Sequence, residues 1–464
     1  MDEIIYASAS EIARAIRDGE VSAEEVTAAY LARIEEMNPK LNAFVQVGRD
    51  AARGRARELD AALGRGELAG PLHGVPVSIK DAFDLAGVVT AGGTKGRAGF
   101  VPQEDAAGVA RLKAAGAVVL GKTNVPEMSL AFESDNLVYG RTKNPYDLAR
   151  TPGGSSGGEA AAIAAGLSPL GLGSDAGGSI RLPAHFCGIA GLKPTTGRTA
   201  RTGHFPPPGG LFDSLWQIGP LARRVEDLAL ALPLLCGADW RDPSVAPVPL
   251  EDPAAVEVET LRVAFYTDNG VIAPTPDIAE AVRSAARALA DAGATVEEAR
   301  PPVLEQAFEL VLGLFGADGG AGLRMLLHMS GTTETHALMD RLLELLGQRP
   351  LSTAEFGGLA FQLDAYRSAM LSFMRDYDAI LCPPCARAAM PHGTTFDEEN
   401  YLSFTYTMNY NLTGWPGAVV RAAASAEGLP LGVQLVARPW REDVALALAR
   451  AVEAALGGWQ RPPV

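Results

Sequence analysis

The stretch Thr151–Pro183, "TPGGSSGGEAAAIAAGLSPLGLGSDAGGSIRLP", decides how the chain is read. It opens with two serines, Ser155 and Ser156, set between two pairs of glycines. Glycine loses more backbone freedom on folding than any other residue, so this density implies a requirement. Either the backbone takes conformations that a side chain forbids, or something approaches it closely. An alanine-rich segment follows and reads as a helix over Glu159–Ala165. "SPLGLGSDAGGSIRLP" then reads as a buried strand running into a second glycine turn.

Working outward, "GVPVSIKDAFD" (Gly74–Asp84) is a short apolar strand ending at Lys80. A helix over Asp105–Ala115 leads to the strand "GAVVLGK". Two amphipathic helices are expected within Ser8–Asn38, the first opened by the capping box "SASE", and another over Asp50–Arg65. Trp240–Glu259, rich in Pro, Asp and Val, reads as a long surface connection. "LRVAFYTD" and a helix over Asp277–Ala292 restart the alternation. Leu304–Leu346 is mostly helical and apolar, a cap over the sheet. "YDAILCPP", "GAVVRAAAS" and "LGVQLVARP" are C-terminal strands, and the last helix runs over Glu442–Leu456. Strands alternating with helices predict an α/β protein around a mixed sheet. A length of 464 residues suggests two or three domains, but the two halves are expected to share one sheet, which favours a single large domain.

Composition narrows the function. Apolar residues at 47% and charged residues at 20% describe an ordinary globular chain. The net charge of −15 argues against attraction to nucleic-acid phosphates or anionic lipid. No secretory signal or run of about 18 apolar residues is found, so no membrane span is expected. Four cysteines, Cys187, Cys236, Cys382 and Cys385, are too few for a disulfide scaffold and suit a reducing cytoplasm.

Several motifs touch the serines and fail. "GSSGG" fits a G-x-S-x-G elbow with Ser156 as nucleophile, but loop precedes it where a strand is required, and the downstream histidines have no distinctive setting. "GLGSDA" fits G-x-G-x-x-A, yet no acidic residue follows about 20 positions on. "CPPC" (Cys382–Cys385) has zinc or redox spacing but lacks two further ligands, so two half-buried thiols are expected there. The histidines are expected to be structural. What remains is Lys80, Ser155 and Ser179. Lys80 ends an apolar strand, where desolvation would favour a neutral amine able to act as a base. Ser179 follows two glycines whose backbone N–H groups could bind an oxyanion. A lysine can activate a serine through a second serine.

With these residues in place, the chain resembles the amidase signature family. The resemblance is carried by "PLHGVPVSIKD", "GKTNVPEMSL", the run "RTKNPYDLARTPGGSSGGEAAAIAAGLSPLGLGSDAGGSIRLPAHFCGIAGLKPTTGR", "SLWQIGPLARRVEDLALAL", "YDAILCPP" and "NLTGWPGAVV…LPLGVQLVARP", in the family's order. It covers most of residues 5–235 and about 375–456. The resemblance implies a single amidase domain over 1–464: N-terminal helices (1–70), a catalytic core (71–235), a variable helical cap (240–370), and C-terminal strands and a helix completing the sheet (371–464). It implies a central mixed, twisted sheet with helices on both faces, and a Ser–cis-Ser–Lys triad of Ser179, Ser155 and Lys80. Backbone N–H groups of Ala176, Gly177, Gly178 and Ser179 would form the oxyanion hole, with Ser156, Asp175 and Arg181 in support. The chemistry implied is acyl transfer through Ser179, with no cofactor and no metal.

The family fixes chemistry better than substrate. The expectation is an amide hydrolase taking an apolar or aryl amide, with Met128, Phe132, Tyr406 and Trp415 bordering its site. Carbamates and esters are alternative substrates of the same triad. The catalytic subunit of a tRNA-dependent amidotransferase is a further alternative. It is disfavoured by "GRTARTGHFPPPGG", which has Thr202 where that type usually carries an aromatic, and by the acidic charge. A small-molecule substrate, no nucleic-acid or membrane partner and a cytoplasmic location are expected, with a homodimer left open.

Overall fold

The computed structural model describes residues 2–211, 213–348 and 350–464. Eleven strands form one mixed sheet: β1 (Phe44–Val47), β2 (Pro76–Lys80), β3 (Val118–Thr123), β4 (Leu170–Asp175), β5 (Ala190–Lys193), β6 (Gln217–Ala222), β7 (Arg262–Phe265), β8 (Thr295–Glu298), β9 (Ala379–Cys382), β10 (Gly417–Ala424) and β11 (Pro430–Ala437). Their order across the sheet is β1-β3-β2-β4-β6-β5-β10-β11-β9-β7-β8. β2 runs parallel to both β3 and β4, and β7 to both β8 and β9, while the pairs between these groups are antiparallel.

The sheet is covered on two sides because its strands are apolar on both faces. Along β11, Leu431, Val433, Leu435 and Ala437 join one core with the C-terminal helix Glu442–Leu456, while Val436 joins another with Leu182 and Phe186. β9 divides likewise, Ala379 and Leu381 against Ile380 and Cys382. This is the period-two alternation of a strand between two layers. The halves on either side of residues 240–259 share the sheet, as expected.

Most of the expected elements form. Ser8 accepts from Glu11 N and closes the capping box on the helix Ala9–Arg17. The last helix spans Glu442–Leu456. The strands β1, β5, β6 and β8 lie outside the expected set. They are four to six residues long, and Gly191, Gly219 and Pro220 interrupt the apolar pattern of β5 and β6. The segment 240–370 is not wholly a helical cap, since β7, β8 and the helix Pro276–Asp291 belong to the sheet layer. The helices Ala307–Gly316, Ala321–Met329, Ala337–Gly347 and Thr353–Phe373 make up the rest. Among the described residues, no single helix is long and apolar enough to cross a membrane.

Candidate active site

Topology delivers the first part of the site. β2 and β4 are neighbours and parallel, with Ile79 opposite Leu172, so their C-terminal ends carry Lys80 and Ser174 to the same edge. The crevice beyond the carboxyl ends of parallel strands is where α/β proteins place their chemistry. Lys80 is fully buried, its Nζ 2.7 Å from Ser155 Oγ and 3.0 Å from Ser174 Oγ. Burial pushes the Lys80 ammonium down to about 7, against the opposing pull of Asp175 and Glu159. Glu159 lies buried below, its carboxyl pushed up to about 7 by burial, although hydrogen bonds from Ser78 and Thr123 work the other way.

Close approach explains the glycines of the serine loop. A Cβ on Gly154 would lie 2.6 Å from Ala131 O and Glu133 N, and one on Gly158 would lie 2.4 Å from Asn124 N. Gly153 also adopts φ +86°, a conformation that suits glycine. The Gly154–Ser155 peptide is cis. Ser156 faces inward: its N–H donates to Ser179 O at 3.1 Å and its hydroxyl to Ser174 O at 3.4 Å.

Beyond β4 the chain turns through Gly177 and Gly178 to Ser179. Arg181 reaches back from the start of the helix Arg181–Phe186 and grips Asp175 through Nε and Nη2, both at 2.9 Å. Its remaining donors go to Gln434, Asn411 and Thr407 O. Burial alone would raise the Asp175 carboxyl, but Arg181, with Asn411, holds it well below the usual carboxylate range. The pair is fully buried and satisfied, so it fixes the loop.

Gly178 is a correction to the expected oxyanion donors. Its N–H donates to Asp175 Oδ1 at 2.8 Å and is occupied. The N–H groups of Ala176, Gly177 and Ser179 have no protein acceptor among the described residues. These three can meet a developing negative charge.

Ser179 opens onto two chambers. One is shared with Ser155, Ser174, His204, Met128 and Trp216. The other is lined by Phe132, Phe308, Val311, Leu342, Phe396 and Met408 among others, without a charged side chain. Of the four residues expected to border the site, Met128 lines the first chamber and Phe132 the second. Tyr406 and Trp415 do not line either. The Tyr406 hydroxyl donates to Ile272 O at 2.8 Å, and both side chains are buried in the core behind the site. Cys382 and Cys385 are buried free thiols, with Cys382 accepting from Gln434 Nε2. Among the described residues, no group of three His, Cys, Asp or Glu side chains converges as metal ligands would.

Two site residues escape the sequence reading: Ser174, which adjoins Asp175, and His204, which contacts Ser174. His204 Nε2 lies 2.8 Å from Ser174 Oγ. Alternation along β4 puts Ser174 on the face of the core residue Leu172, so the strand pattern does not single it out. Nothing local distinguishes His204.

A buried amine against a serine, a second serine at a glycine turn and free N–H groups beside it are the parts that acyl transfer would require. The chain belongs to the amidase family, whose model matches residues 25–446. It is 35% identical to a Glutamyl-tRNA(Gln) amidotransferase subunit from Chloroflexus aggregans, over 98% of this chain and 97% of that one. It is 37% identical to the protein of the same name from Roseiflexus castenholzii, over 94% and 93%. Among solved structures, a chain of a complex described as revealing the evolutionary origins of an s-triazine catabolic enzyme superposes with a TM-score of 0.88 at 33% identity, over 98% of this chain and all of that one. A 6-aminohexanoate cyclic dimer hydrolase follows at 0.87 and 30%, over 99% of each.

Proposed function

We propose that this chain cleaves the C–N bond of a carboxylic amide through an acyl-enzyme on Ser179. The observation that carries the reading is the 2.7 Å approach of Lys80 Nζ to Ser155 Oγ, a serine that lines the same cavity as Ser179. Neutral Lys80 takes the proton of Ser155 as Ser155 takes that of Ser179. Ser179 Oγ attacks the carbonyl, and the N–H groups of Ala176, Gly177 and Ser179 hold the oxyanion. Ser155 returns a proton to the leaving nitrogen. Water enters by the same route and releases the carboxylate.

The substrate proposed is an amide with an apolar or aryl acyl group, and the uncharged chamber around Phe132 supports it. Carbamates and activated esters would pass through the same acyl-enzyme. A second reading is the catalytic subunit of a tRNA-dependent amidotransferase, and the curated relatives favour it over the first. Such a protein needs partner chains and draws nitrogen from an amide such as glutamine, whose α-ammonium and α-carboxylate call for charged partners. The chamber around Phe132 offers none.

The test is a panel of acyl anilides, carbamates, esters and L-glutamine, run on the isolated chain and on the Ser179→Ala variant, with a fluorophosphonate probe for the nucleophile. Turnover of apolar anilides and labelling of Ser179 support the first reading. Ammonia release from L-glutamine alone favours the second. Labelling of Ser156 with Ser179 untouched would remove both.

A further inference from the structure

To act as the base, Lys80 must present its lone pair to Ser155 and not to another neighbour. A neutral amine has two N–H bonds and one lone pair on a freely rotating carbon. Three partners lie around it: the Ser174 carbonyl at 3.5 Å, which can only accept an N–H, and Ser155 Oγ at 2.7 Å and Ser174 Oγ at 3.0 Å, hydroxyls that can each donate or accept. Turned the wrong way, the lone pair would take the Ser174 proton and the base would be spent on a residue outside the reaction.

His204 removes the ambiguity. Its Nδ1 lies 2.9 Å from Pro206 O, and a carbonyl only accepts, so Nδ1 carries a proton. The ring is buried, clamped edge-on by Phe83 with centroids 5.0 Å apart and by Trp216 at 4.6 Å. Burial, and then the charge of Lys80, lower its pKa to about 3, so the ring is neutral and Nε2 bears a lone pair. Nε2 then accepts the Ser174 proton at 2.8 Å. With that proton given away, Ser174 Oγ can only accept from Lys80. The charged or titratable groups acting on Lys80 from the elements around it are Asp175, Glu159 and His204.

We propose that Ser174 and His204 are positioning residues, a one-way chain of hydrogen bonds that turns the lone pair of Lys80 onto Ser155. This rests on Lys80 acting as the base. Neither residue touches the reacting carbonyl in this scheme.

The experiment has two arms. In wild-type protein labelled with 15N-histidine, one of the six histidines is expected to hold the Nδ1–H tautomer unchanged from pH 6 to 9, and to vanish in His204→Gln. An Nε2–H tautomer or an imidazolium at that position overturns the proposal without any assay. The second arm is a double-mutant cycle in kcat. His204→Phe keeps the ring contacts with Phe83 and Trp216 but frees the Ser174 hydroxyl to compete for the lone pair, so kcat should fall roughly tenfold with KM little changed. Adding Ser174→Ala to His204→Phe removes the competitor, so the double variant should be no slower than His204→Phe alone. Ser174→Ala by itself removes an acceptor of the ammonium and should move the acid limb of the pH profile to lower pH, and Ser174→Thr should reverse that shift. Losses that multiply, with the acid limb unmoved, overturn the proposal. Near-normal turnover by Lys80→Ala would instead sink the reading of Lys80 as base, whatever the tautomer.

Discussion

Two hydroxyls in one loop, Ser155 and Ser156, have the same chemistry and different surroundings. Ser155 meets Lys80, whereas Ser156 bonds backbone carbonyl groups of β4 and Ser179. Ser155→Ala should therefore lower kcat by about 10²–10⁴-fold or more. Ser156→Ala should cost roughly tenfold, the worth of a supporting hydrogen bond. An anilide should lose more than a matched aryl ester in Ser155→Ala, because a poor amine leaving group needs the returned proton. Equal losses on kcat/KM for the two substrates would show that Ser155 does not serve the leaving group. In the proposed mechanism Lys80 sets the pH dependence. Its lone pair exists only in the deprotonated form, and burial brings its pKa down to about 7. The rate should rise with pH through about 7 and then level off. A flat profile down to pH 5 would show that no amine near 7 controls turnover.

The loop before the helix Gly157–Ala164 runs against the backbone of residues 131–133, and the helix's first turn against residue 124, with no room for a methyl group at Gly154 or Gly158. Gly158→Ala places a carbon 2.4 Å from Asn124 N and 2.5 Å from Asn124 O, and backbone cannot swing aside as a side chain does. A loss of at least about 1–3 kcal/mol is expected, read as a lower urea midpoint. Gly54, inside the helix Arg49–Leu63, has nothing within 4 Å of where its Cβ would be. Gly54→Ala should raise stability by about 0.5–1 kcal/mol through helix propensity. If Gly158→Ala proved as stable as the parent, the close packing of these segments would be wrong.

The cap and core meet at Ser179, and their joint product is an uncharged chamber. If acyl groups enter it, each added methylene buries about 0.8 kcal/mol of apolar surface, or roughly fourfold in kcat/KM, until the chamber is full. A series of n-acyl anilides checks this, and rates that ignore chain length would place the acyl group elsewhere. The cap is also held to the core by polar contacts. Glu127 accepts from His336 N at 2.8 Å and from Thr94 Oγ1 at 2.7 Å, joining the segment before the helix Ala337–Gly347 to the loop around Met128. That link positions one wall of the chamber.

Most of this was legible in the chain itself. The buried strand ending at Lys80, the glycine-bracketed serines and the turn at Ser179 stand out because apolar runs and glycine clusters are local signals, readable over a few residues. The mixed α/β architecture followed from their alternation. The tertiary structure alone decided the order of strands, because β2 pairs with β4 across some ninety residues of intervening chain, and no local pattern encodes that partner. It alone withdrew Gly178 from the oxyanion donors, through a carboxylate three residues back whose orientation is imposed by Arg181, Asn411 and the loop they hold. It also moved Tyr406 and Trp415 behind the site and brought His204 onto Ser174. A side chain's role depends on which partner its direction allows, and direction is settled only when the elements pack.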